Sequence, residues 1–278
     1  MLVAVSWKIE GDYAADGAVC VRGAFSPAEV ALATDAIEAT LADLSPTAKR
    51  ASGDDDGAFV EDFCRWGDIA AIEELARTSG AAAIAAELTG AEVVRLYHDH
   101  VLVKEAGTRQ RTPWHQDLPY YNVDGRQLVS MWMPVDPVPR ASSLELVAGS
   151  HLGPWFMPRT FLDGRAKWFP EGALADLPDI DGDPEAHRIL AWDLEPGDAV
   201  FFHMLSLHAA AGFPGPGRRR VLSLRFLGDD AVHAPRPWAT SPPFPGLADE
   251  LPAGAPLDHP LFPVLWSRAD ADAPVRAQ

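Results

Sequence analysis

The sequence predicts a mainly β protein with flanking helices. From Ala91 onward the chain reads as short runs rich in Val, Leu, Trp and Phe, punctuated by Gly and Pro: "AEVVRLYHDHVLVKEAG", "QLVSMWMPV", "LELVAG", "AVFFHMLSLHAA" and "RVLSLRFLG". That pattern suits antiparallel, barrel-like β-structure. The strong helix formers lie before it, and 278 residues can bury one sizeable core. No internal repeat or linker-like boundary divides the chain, so a single domain is expected.

The elements follow in order. "GAVCVRGAF" reads as a β-branched strand. Ser26-Pro27-Ala28-Glu29 then supplies an N-cap, a Pro at the first helical position and an acidic capping-box partner, predicting a helix to about Leu44. "TAKRASGDDDG" is polar and acidic and predicts a surface loop. "DIAAIEELARTSGAAAIAAELTG" predicts two short helices interrupted at Gly80. The scheme is an N-terminal helical layer over 1–92 and a β core over 93–232. An insertion at about 152–190 is too long for an ordinary connection and predicts a lid. Pro recurs over 233–278, leaving aromatic anchors for the barrel exterior.

Charge excludes some partners. With 23 basic and 40 acidic residues the formal net charge is −17, which repels nucleic-acid phosphate and anionic membrane. The opening "MLVAVSWKIEGD" meets Lys8 and Glu10 too early for a signal peptide, and no later apolar run reaches membrane-spanning length, so a cytoplasmic location is expected. Cys20 and Cys64 form no zinc-like spacing and read as structural.

"PWHQDLPYYN" sets His115 and Asp117 two apart, where a strand would point both into one space. Alone, the pair is a weak signal. With a remote His in "GDAVFFHMLSLHAAAGF" it matches the two-His, one-carboxylate set of non-haem Fe(II), which leaves coordination positions open. His203 and His208 are five apart and so opposite in strand parity; only one faces the interior. In "GRRRVLSLRF", Arg219 shares a face with Val221, Ser223 and Arg225, and Arg218 and Arg220 share the other. Parity alone leaves the interior face open.

The chain resembles the phytanoyl-CoA dioxygenase family of Fe(II)/2-oxoglutarate-dependent oxygenases. The likeness rests on "VKEAGTRQRTPWHQDLPYY", "VSMWMPVDP", "LELVAGSH" and "GDAVFFHMLSLHAAAGF…RRRVLSLRFLGDD", in that order. It implies a double-stranded β-helix (jelly-roll, cupin-like) core. It implies His115, Asp117 and His208 as catalytic metal ligands, with His203 facing outward, and Fe(II), 2-oxoglutarate and O2 as cofactor and cosubstrates. Two neutral imidazoles and one carboxylate leave Fe(II) with about one net positive charge, which suits a dianionic keto acid. The resemblance puts Arg219, eleven residues after His208, on the distal carboxylate; a bidentate guanidinium fits that task. It also places Lys104, Gln116 and Trp132 near the cosubstrate. Members often carry a small hydroxyl residue shortly after the distal His; here Ala209, Ala210 and Ala211 follow. The carboxylate of Asp117 favours hydroxylation over halogenation, since related halogenases lack it.

Other residues have plainer readings. His98 and His100 read as packed and hydrogen-bonded strand residues, with nothing nearby to complete a metal site. His151, His187, His233 and His259 fall in turns and loops. Tyr120 and Tyr121 serve a substrate pocket or the core equally well. In the insertion, Trp155, Phe156, Arg159, Lys167 and Trp168 suit either a pocket for a partly apolar, acidic substrate or a lid packing on the barrel. A competing function is a cupin-like hydrolase, isomerase or lyase using the same triad without 2-oxoglutarate; a binding protein that lost turnover is a third.

Overall fold

In the computed structural model, which describes residues 7–158, 169–170 and 172–271, alternation along the long strands sorts the chain into two faces. The strands are β1 (Lys8–Glu10), β2 (Ala18–Arg22), β3 (Lys49–Arg50), β4 (Phe59–Phe63), β5 (Val93–Lys104), β6 (Thr112–His115), β7 (Val123–Asp124) and β8 (Leu128–Pro134). They continue as β9 (Leu144–Val147), β10 (Ile189–Leu190), β11 (Ala199–His203), β12 (His208–Ala210), β13 (Arg219–Leu227), β14 (Val232–His233) and β15 (Val264–Ser267).

The larger sheet runs β1-β2-β11-β8-β13-β5-β4-β3, with β15 also on β5; the smaller runs β10-β9-β12-β6. Both are antiparallel, and together they form the jelly-roll core. On one face of the larger sheet Val101 and Val103, Met131 and Met133, and Leu222 and Leu224 pack under the helices. On the other, Trp132, Val200, Phe202 and Val221 face Leu144 and Leu146 of the smaller sheet. Each large apolar side chain so buried contributes roughly 1.5–3 kcal/mol.

The helices are α1 (Tyr13–Asp16), α2 (Pro27–Ala42), α3 (Ala70–Thr78) and α4 (Ala81–Thr89), with the one-turn α5 (Leu247–Glu250) and α6 (Arg268–Ala271) near the C-terminal end. The expected capping box opens α2: Glu29 N–H donates to Ser26 Oγ, and Ser26 N–H donates back to the Glu29 carboxylate at 2.7 Å. Gly80 divides α3 from α4 as its position predicts. The N-terminal segment is more than a helical layer, because β2 pairs with β11 and β4 with β5. "AFVEDF" thus supplies a sheet strand, and the polar loop before it carries the two-residue β3.

The run "AVFFHMLSLHAA" breaks into two strands on different sheets, β11 and β12, joined by a turn through Met204–Leu207. The parity comparison of His203 with His208 assumed one continuous strand and does not apply. In the C-terminal segment Phe244 and Phe262 pack against Tyr97, as aromatic anchors should. Among the described residues no helix is long and apolar enough to cross a membrane. Cys20 and Cys64 are unpaired, and burial pushes both thiols up to about 12, the behaviour of structural cysteines.

Candidate metal centre

Antiparallel register sets His115 of β6 directly opposite His208 of β12, with ring centroids 4.1 Å apart. The strand stops at His115. Asp117 has helical backbone angles and leads a 3₁₀ turn over Leu118–Tyr120, so the chain bends the carboxylate back toward the imidazoles rather than projecting it from a strand. The N–H groups of Asp117 and Leu118 both donate to the Met204 carbonyl at 2.9 Å, stitching this bend to the turn that delivers His208.

The three groups offer one ligand atom each, all within 4.8 Å of one another. Asp117 Oδ1 lies 3.9 Å from His115 Nε2 and 3.7 Å from His208 Nε2. Cis ligands on an octahedral ion with bonds of about 2.1 Å stand roughly 3 Å apart, so a small contraction suffices. His115 Nδ1 donates to the Pro113 carbonyl at 2.8 Å and His208 Nδ1 to the Ser206 carbonyl at 2.9 Å. A carbonyl only accepts, so both protons sit on Nδ1 and both Nε2 lone pairs are free for a metal.

Asp117 is held as a carboxylate. Burial alone would raise its pKa. The Arg225 guanidinium, the two imidazoles and the Ser130 hydroxyl together keep it far below the usual carboxylate range. Ser130 Oγ donates to Oδ2 at 2.7 Å and Arg225 Nη2 at 3.2 Å. Burial lowers the His208 pKa, which keeps it neutral as a ligand must be.

The triad opens into a cavity of about 930 Å³, mouth included, which Arg219, Trp132, Tyr120 and Tyr121 also line. This resolves the parity question: the Arg219 and Arg225 face is interior, while Arg218 and Arg220 pair with Glu38, Glu105 and Asp136 outside. Arg219 is buried and lies over the Trp132 ring, 5.5 Å from its centroid. Its Nη1 donates to the Ser142 and Ala211 carbonyls, and its Nε has no partner. No carboxylate of the described residues pairs with it, and burial lowers its pKa to about 10. A buried guanidinium with an orphan N–H calls for an anion. The cavity therefore fits the iron and 2-oxoglutarate that the residues suggest.

Four expected contacts are not made. Lys104 is opposite Arg219 in the ladder, but its amine donates to the Gln110, Ala210 and Ala211 carbonyls and lies 4.6 Å from the Phe59 centroid, outside the cavity lining. Burial, then Arg219, push its pKa down to about 6, while three acceptors and a π face suit the ammonium. Gln116 turns away, donating to Pro154 and Leu205 carbonyls and accepting from Phe156 N–H, a clamp between loops. Trp155 stacks on Arg236, and Phe156 packs with Trp114 and Val147, so neither lines the cavity. Arg159, Lys167 and Trp168 lie outside the described residues. His203 is buried rather than outward, its ring beside His151 and its Nδ1 accepting from Leu205 N–H, away from the cavity.

Sequence reasoning also missed lining residues. Thr112 pairs with Ala210 across β6 and β12 and lines the cavity, so a hydroxyl residue stands next to the strand of three alanines. His98 and His100 line the cavity instead of merely packing, and Lys49 and Glu61 come from β3 and β4. Alternation in "RLYHDHVLVK" places His98 and His100 on one face, and their pairing with β13 would have identified it as the Arg225 face.

A model of the phytanoyl-CoA dioxygenase (PhyH) family matches residues 13–221. A probable phytanoyl-CoA dioxygenase of Caenorhabditis elegans is 31% identical over 127 residues, 43% of this chain and 37% of that protein. Among solved structures, the non-heme α-ketoglutarate-dependent epimerase SnoN from nogalamycin biosynthesis superposes with a TM-score of 0.71 at 25% identity, covering 92% of this chain and 96% of its own. EctD from S. alaskensis, in complex with 2-oxoglutarate and 5-hydroxyectoine, gives 0.60 at 21% over 88% and 83%, a likeness of fold.

Proposed function

The chain belongs to the phytanoyl-CoA dioxygenase family, and on that premise we propose that it is a cytoplasmic Fe(II)/2-oxoglutarate-dependent dioxygenase that hydroxylates a small organic molecule, releasing succinate and CO2. The observation that carries this reading is the meeting, in one cavity, of the His115–Asp117–His208 face with a buried Arg219 that pairs with no carboxylate of the described residues. A cupin-like hydrolase or lyase would have no use for that guanidinium.

The chemistry supplied when Fe(II) is bound is activation of O2 coupled to oxidative decarboxylation of 2-oxoglutarate, one oxygen atom entering succinate and the other the substrate. The chain's own residues prepare for it. His115 and His208 hold the metal through Nε2, their rings fixed by the Pro113 and Ser206 carbonyls. Asp117 would bind through Oδ1, since Ser130 and Arg225 occupy Oδ2. Arg219, resting on Trp132, would orient the distal carboxylate of 2-oxoglutarate, with Thr112 offering a further hydroxyl in the same cavity. Phe63, Tyr120 and Tyr121 wall the remaining cavity, excluding water and fixing the substrate C–H bond.

The test is an anaerobic titration of metal-free protein with Fe(II) and then 2-oxoglutarate, watching for the visible charge-transfer band of the chelate, with Arg219→Ala as control. A band that weakens in the variant is expected; metal binding with no band shifts the reading to a cupin-like enzyme without 2-oxoglutarate. Product mass then tests hydroxylation. A product that gains one oxygen atom supports it, and one of unchanged mass points to epimerisation, the activity named for SnoN.

A further inference from the structure

Beyond the metal triad the cavity has a second polar end. β5 turns His98 and His100 into it, with His98 paired to Arg225 and His100 to Ser223 across the ladder. Arg225 in turn bonds Asp117, so this end adjoins the metal face. His98 is 3% exposed, its ring edge-on to Tyr97 and Tyr121. Its Nδ1 lies 3.0 Å from the Asp99 carbonyl; the carbonyl can only accept, so the proton is on Nδ1 and Nε2 is a bare acceptor. No donor of the described residues reaches that Nε2, nor that of His100, which is 3.8 Å from Glu61 Oε1. Buried acceptors without donors are rare in native proteins and mark the place of a missing partner.

The charges nearby select that partner. Arg225 and Lys49 oppose a cation, while Glu61 and Asp117 oppose an anion. We propose that His98 Nε2, flanked by His100 and Glu61, receives a hydroxyl group of the primary substrate, which is a neutral, hydroxyl-bearing organic molecule rather than a coenzyme A thioester. Its apolar body lies against Phe63, Tyr120 and Tyr121. A coenzyme A ester would bring several phosphate charges to a cavity whose described lining offers one cation, Lys49, besides Arg219 and Arg225. This assignment rests on the oxygenase reading and adds the polarity of the substrate to it.

Two measurements test it. In metal-free protein, ¹⁵N NMR of the His98 ring should show the proton on Nδ1; a proton on Nε2 overturns the proposal whatever the enzyme's activity. Then naphthalene and decalin alcohols, each paired with its methyl ether, and octanoyl-CoA are titrated anaerobically into protein loaded with Fe(II) and 2-oxoglutarate, reading displacement of the charge-transfer band. At least one alcohol should bind about tenfold or more tightly than its ether, because a site built for a hydroxyl rejects the analogue lacking the donor. In His98→Leu that preference should vanish while the band itself persists. The proposal fails if no alcohol outbinds its ether, if octanoyl-CoA binds as tightly as the best alcohol, or if the preference survives in His98→Leu. A band that never forms in the wild type removes the oxygenase reading first and this assignment with it.

Discussion

Arg225 Nη2 donates to Asp117 Oδ2 at 3.2 Å, while the other oxygen, Oδ1, faces the two imidazoles. Arg225 Nε also donates to the Tyr121 hydroxyl and Nη1 to Ser223 Oγ, so each nitrogen of the guanidinium has a partner inside the barrel. The pair divides the carboxylate between a structural and a metal-binding oxygen. Arg225→Met should leave a buried charge whose only side-chain hydrogen bond among the described residues comes from Ser130, costing the metal-free protein about 3–5 kcal/mol. A bound divalent ion replaces part of the lost positive charge, so the metal-loaded variant should lose less. Urea melts with and without Zn(II) measure the difference; equal losses in both would mean that the pair does not serve the site.

The triad variants follow from the same geometry. His115→Ala, Asp117→Ala and His208→Ala should each abolish iron-dependent turnover. His203→Ala should keep measurable activity, since His203 sits on β11 beside His151 and away from the cavity. Iron binding measured by equilibrium dialysis decides the assignment: loss in His203→Ala with retention in His208→Ala would overturn it.

Arg219 and Thr112 should act together on the cosubstrate. A charge-assisted hydrogen bond is worth about 1.5–3 kcal/mol, so Arg219→Ala should weaken 2-oxoglutarate binding by roughly 10- to 100-fold. Thr112→Val removes a neutral hydroxyl of similar shape and should cost only several-fold. Titration of the charge-transfer band reads both. An unchanged affinity in Thr112→Val would mean that nothing replaces the hydroxyl missing from Ala209–Ala211.

What could be read from the residues alone was whatever depends on local pattern or on fixed spacing. The capping box of α2, the break at Gly80 and the alternation of β8 and β13 are local, and tertiary packing left them intact. The clustering of His115, Asp117 and His208 could be expected from their order and spacing, although the reason given for their convergence was incomplete. A strand was expected to aim His115 and Asp117 together, whereas a bend after His115 does so. The remaining lining was hidden because it depends on which strands become neighbours. Nothing in "LYHDHVLVK" reveals that β13 will set Arg225 beside His98, and nothing in "AFVEDF" that β4 will bring Glu61 to the same cavity. Lys104 and Gln116 were assigned to the cosubstrate, but nearby carbonyls engage both.

Stability should fall with acid in a window set by buried histidines. Burial, then the Arg225 charge, lower His98 to about 3; burial, then His151, lower His203 to about 4. Both folded values lie below the ordinary value near 6.5 of an unfolded chain. Between the two values the unfolded chain takes up a proton that the folded one refuses, so their stabilisation is complete above about pH 6.5 and declines as the pH falls. While the pH lies between its two pKa values, each ring contributes up to about 1.4 kcal/mol per pH unit. Urea melts from pH 7.5 to 4.5 should show this decline, and His98→Gln should flatten it by about one such share. Metal-free protein is the right sample, because a bound ion would add its own proton competition at His115 and His208. An identical slope in wild type and variant would mean that His98 is not held neutral, and its Nε2 could then not serve as an acceptor.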